Sequence, residues 1–103
     1  PTCGNQEDYV AMGYNAAKKA RQIAEKLEFI LAIELLSVYQ AHQFIEGDKM
    51  PATAVQAVLE EIALTVPIMN EDIYLYPHIN TIKNLIHSRK VVDLVETKIG
   101  ILL

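Results

Sequence analysis

The sequence is poor in the residues that mark several common protein classes. It has one cysteine, Cys3, and no tryptophan among its 103 residues. A single cysteine excludes an internal disulfide and a cysteine-cluster metal site, and it fits a reducing compartment. We therefore expect a cytoplasmic protein.

Basic runs are also lacking, and the formal net charge at pH 7 is −4. Nucleic acids and anionic membranes attract basic surfaces, so neither is an expected partner. Hydrophobic residues make up 51% of the chain and charged residues 21%. This balance is typical of a globular protein and excludes a disordered one, and the length corresponds to one small domain.

Glycine and proline are scarce, with four of each, and their positions indicate helices. Between Tyr9 and Phe44 there is no proline, and the only glycine is Gly13. Alanine, leucine, lysine, glutamate and glutamine, which favour helices, dominate this stretch. It predicts one helix of more than thirty residues, from Tyr9 to about Phe44, ended by Gly47.

Three shorter helices are predicted after the long one, at about 52–66, 78–88 and 91–98. Pro51 and Pro77 stand near the starts of the first two, where a missing backbone N–H costs little. The sequence has no sustained alternation of apolar and polar residues, the pattern that is typical of a β-strand. The predicted fold class is all-α, with one very long helix followed by three shorter helices.

The middle of the long helix, residues 27–45, reads LEFILAIELLSVYQAHQFI and is apolar on most sides. A surface helix normally has one apolar stripe and a polar back. Three short helices cannot surround such a helix, so its further partners are other subunits, chain outside this sequence, or lipid. Lipid is the weakest of these, because Glu28 and Glu34 would lie within the bilayer. We expect the chain to be part of a larger helical-bundle assembly.

Two amides and two carboxylates precede the long helix, in the order Asn5-Gln6-Glu7-Asp8. One interpretation is structural: Asn5 caps the helix and Asp8 completes a variant of the capping box. The other is functional, because a carboxylate beside a buried helix is suited to acid–base work or to holding a substrate amine. The residues alone leave both open.

Three longer segments resemble one known family, and they occur in the family's order. PTCGNQEDYVAMG at 1–13, ILAIELLSVYQA at 30–41 and LYPHINTIKNLI at 75–86 are similar to segments of histidine ammonia-lyases. The chain therefore resembles the aromatic amino acid lyases. Glu7 favours the histidine branch, because the plant-type phenylalanine enzymes have no matching glutamate, although some bacterial tyrosine lyases and aminomutases share it. Tyr9, which stands where histidine is usual, leaves tyrosine and phenylalanine lyases and aminomutases open.

The resemblance implies elimination of ammonia from an α-amino acid, which for L-histidine gives urocanate. In the family's enzymes the electrophile is a 4-methylidene-imidazol-5-one group formed from an Ala-Ser-Gly tripeptide. This sequence contains no such tripeptide. Residues 1–103 are therefore expected to be the C-terminal helical portion of a homotetrameric enzyme, inactive alone. The upstream part would carry the prosthetic group. A non-catalytic helical oligomer descended from a lyase is the alternative.

The family's site residues map here onto two positions. The resemblance implies that Glu7 is a catalytic and substrate-binding residue and that Gln6 is a catalytic neighbour that orients groups. It implies no cofactor-binding residue in this part of the chain, and we expect no metal ligand. Three histidines share no ligand spacing and are expected to be ordinary: His42, His78 and His87. Glu34 is expected to meet a cation or amide of a neighbouring helix, and Tyr14 and Tyr39 are expected to pack.

Overall fold

The computed structural model describes residues 12–102, and in that range the chain forms helices and loops without a strand. The helices are α1 (Gly13–His42), α2 (Thr53–Ala63), α3 (Tyr76–His87) and α4 (Lys90–Ile99). The prediction of an all-α chain with one very long helix followed by three shorter ones is confirmed.

The start of α1 lies later than the sequence predicted. The helix begins at Gly13 rather than Tyr9, and its N-cap residue, Met12, makes no side-chain hydrogen bond to the first turn. Asn5, which the sequence suggested as a helix cap, lies outside the described residues, so that interpretation stays a prediction.

The end of α1 comes earlier than predicted, at His42 rather than near Phe44. The backbone N–H of Phe44 donates to the Ala41 carbonyl at 3.0 Å, and that of Ile45 donates to His42 at 3.2 Å. These shorter-range bonds tighten the chain and stop the α-helix. Gly47, with φ of +88°, therefore serves the following loop and not the helix end.

Proline has different roles before α2 and α3. Pro51 lies outside α2, which begins two residues later, at Thr53. Pro77 does lie in the first turn of α3. Between α3 and α4, Arg89 adopts a φ of +64°, a left-handed conformation that is uncommon for a residue with a side chain.

The core lies where α1 and α3 meet the end of α2. Its buried members are Ala32, Leu36, Tyr39, Val58, Leu59, Ile62, Val66 and Ile82. Within the described part, α1 packs on α3, α2 packs on α4, and α3 also contacts α4. Only a narrow strip of α1 is buried, although the helix is apolar on most sides.

The molecule is elongated because α1 extends beyond the other helices. Its radius of gyration is 20.0 Å, whereas a compact chain of this length has one of about 13 Å. Every residue from 12 to 27 is exposed. The first half of α1 therefore has no packing partner within residues 12–102.

Candidate functional site

The two predicted catalytic residues, Gln6 and Glu7, lie outside the described residues. The first described residue is Met12, at the start of α1. Their proposed roles therefore stay predictions. Close to them in sequence, Tyr14 is 82% exposed, so the prediction that its ring packs is wrong within the described part of the chain.

Near the other end of α1, Gln40 fixes the loop that follows α2. Its side-chain Nε2 donates to the Pro67 carbonyl at 2.9 Å, and its Oε1 accepts from the Met69 N–H at 2.9 Å. Both ends of the amide are used, so the two bonds determine the side chain's orientation. Gln40 thereby anchors three residues of loop to α1.

A cleft of about 430 Å³ opens beside this anchor. Its lining residues are Gln40, Phe44, Met69, Asn70, Glu71, Asp72, Ile73 and Leu75. The polar groups come mainly from one loop segment, 70–72, while Phe44 is largely exposed at its edge. The cleft is a surface groove with an acidic wall.

Two side-chain contacts join α1 to α3. The His87 Nδ1 lies 2.8 Å from the Glu28 carboxylate, to which it donates a hydrogen bond. The ammonium of Lys83 lies 4.7 Å from the centre of the Phe29 ring, a cation–π distance. The sequence predicts an ordinary role for His87, because no local pattern links residues 59 positions apart.

The remaining histidines, His42 and His78, are half-buried. Among residues 12–102 there is no group of three or more His, Cys, Asp and Glu side chains able to hold a metal ion.

The face of α1 opposite the core carries a row of large apolar side chains. We call this the outer stripe: Ile23, Leu27, Ile30, Leu31 and Val38. They are between 41% and 66% exposed. Buried Ala32 lies nine residues after Ile23, two and a half helical turns, and so points the opposite way. α1 therefore has two apolar faces, of which only one is covered within residues 12–102.

Glu34 lies within the outer stripe, four residues after Ile30 and four before Val38. It is exposed, and it forms no hydrogen bond or ion pair with any residue in the range 12–102. Its neighbours on this face, one turn away in each direction, are apolar or uncharged. A carboxylate in such a row needs a cation or donor if the face is covered.

None of the described helices is both long and apolar enough to span a bilayer. The outer stripe is interrupted by charge, which agrees with that finding.

Comparison with known proteins gives a consistent result. The family model described as aromatic amino acid lyase matches residues 1–63, which include the predicted catalytic pair, α1 and α2. The histidine ammonia-lyase of Symbiobacterium thermophilum is 38% identical over 100 residues, 97% of this chain and 20% of the relative. That of Alkaliphilus metalliredigens is 35% identical over 102 residues, 99% of this chain and 20% of the relative. That of Caenorhabditis elegans is 33% identical over 91 residues, 88% of this chain and 13% of the relative.

The chain thus spans about a fifth or less of the length of these curated relatives. No solved structure gives a significant match to it. The family match covers more than half of the chain, and the relatives align along nearly all of it. The chain therefore belongs to the aromatic amino acid lyase family.

Proposed function

We propose that this chain is the C-terminal helical portion of a histidine ammonia-lyase-like enzyme, which eliminates ammonia from L-histidine to give urocanate. The observation that carries the proposal is the alignment of nearly the whole chain with proteins named histidine ammonia-lyase. Glu7, which the resemblance associates with the histidine branch, supports this substrate over phenylalanine, and Tyr9 keeps tyrosine as the alternative substrate.

Within that enzyme, Glu7 is the active-site carboxylate of this portion. A carboxylate beside the substrate holds its ammonium group or imidazole and relays a proton. A positioned acid or base of this kind contributes about 10²–10⁴-fold to rate. Gln6 orients neighbouring groups through its amide, which both donates and accepts hydrogen bonds.

The prosthetic group does not come from these 103 residues. They contain no Ala-Ser-Gly tripeptide, so no segment here can form the methylidene-imidazolone. When present, that group supplies the electrophile to which the substrate adds. The portion alone is therefore proposed to be inactive, and the active protein to be a cytoplasmic homo-oligomer, a tetramer as the family resemblance implies.

The test uses the source protein at its natural length. It is incubated with L-histidine, L-tyrosine and L-phenylalanine in separate assays, and the unsaturated acids are followed by their ultraviolet absorbance. We expect turnover of L-histidine only, and kcat/KM lowered about 100-fold or more in Glu7→Gln. Asp8→Asn, one residue away and assigned a structural role, is the matched control and should change kcat/KM less than tenfold.

Preferred turnover of tyrosine or phenylalanine would show that the protein belongs to another branch of the family. Unchanged turnover in Glu7→Gln would remove Glu7 from the catalytic machinery.

A non-catalytic helical oligomer is the second candidate. The exposed outer stripe favours it, because packing between copies is sufficient to cover these apolar side chains. The intact mass of the source protein distinguishes the two. A mass near 11.6 kDa without lyase activity supports the oligomer, and a several-fold larger mass with activity supports the enzyme.

A further inference from the structure

We draw no further inference here: the strongest candidate, the surface cleft of about 430 Å³ between the C-terminal end of α1 and the loop at 69–75, with Glu71 and Asp72 in its wall, carries nothing, because no second feature within residues 12–102 points to a ligand and nothing in the structure shows what covers it.

Discussion

The phenol of Tyr39 donates a hydrogen bond to the backbone carbonyl of Val66 at 2.9 Å, although 27 residues separate them. Both residues are buried, so water does not compete for the carbonyl. The bond joins the last turns of α1 to the turn that ends α2. It therefore stabilises the position of α2 relative to the long helix, and the packing predicted for Tyr39 is confirmed.

Replacing this donor should destabilise the fold without changing its shape. Tyr39→Phe keeps the ring but leaves the buried Val66 carbonyl without its hydroxyl partner. We expect the free energy of unfolding to fall by about 1–3 kcal/mol, measured by urea denaturation. Tyr14→Phe removes the hydroxyl of an exposed tyrosine and should stay within about 0.5 kcal/mol of wild type. Equal effects in the two variants would contradict a specific role for the Tyr39 bond.

Among the described residues, Ile62 on α2 and Ile82 on α3 are the largest fully buried side chains. Ile62→Ala removes three carbons from the core and leaves a cavity that the neighbouring helices fill only in part. We expect a loss of about 2–5 kcal/mol in the free energy of unfolding. Leu64→Ala, two residues away at a site that is 76% exposed, is the control and should cost far less. Similar losses at both sites would mean that α2 presents a different face to the core.

The amide of Gln40 should protect the backbone of the loop after α2. Gln40→Leu keeps the side chain's approximate size but removes both hydrogen bonds. We expect the Met69 amide hydrogen to exchange with solvent about fivefold faster or more, corresponding to the loss of a bond worth about 1 kcal/mol. Hydrogen exchange followed by NMR measures this directly.

Gln56→Leu provides the comparison for that experiment. Within residues 12–102, the Gln56 side chain bonds to Glu60 on its own helix and to no other residue, so its loss should leave the Met69 exchange rate unchanged. An unchanged rate in Gln40→Leu would show that the loop is held by packing rather than by this amide.

The contact between Glu28 and His87 should contribute little, despite its short distance of 2.8 Å. The side chains are 23% and 74% exposed respectively, so water screens much of the interaction. A double-mutant cycle with Glu28→Gln and His87→Gln should give a coupling energy of no more than about 1 kcal/mol.

Added salt tests the nature of the same contact. Screening should lower the coupling energy as ionic strength rises, since the pair is partly exposed. A coupling above about 2 kcal/mol that is insensitive to salt would instead indicate a contact shielded from water.

Several features of the molecule follow from local sequence and were predicted from it. The run of good helix formers between Tyr9 and Phe44 predicted a long helix, and Pro77 indicated the start of α3, because backbone preferences act over a few residues. The family resemblance, likewise carried by short segments, is confirmed by the family match at 1–63.

Contacts between distant residues needed the tertiary structure. Glu28 and His87 are 59 residues apart, and Gln40 and Met69 are 29 apart, so no spacing rule connects them. The exact helix ends also depend on such context: α1 ends at His42, two residues earlier than the sequence predicted. Gln6 and Glu7 lie outside the described residues, so their catalytic roles remain predictions.

The sequence by itself determined that this protein is a set of helices, of which the first is apolar on most of its sides. It could not determine which side faces the core, because apolar residues occur on most sides of α1 and no single side stands out. The tertiary structure decided this when α3 packed against α1 over the strip that includes Ala32, Leu36 and Tyr39. One helix of this length offers more apolar surface than three short helices can cover, and the outer stripe is the surface left exposed.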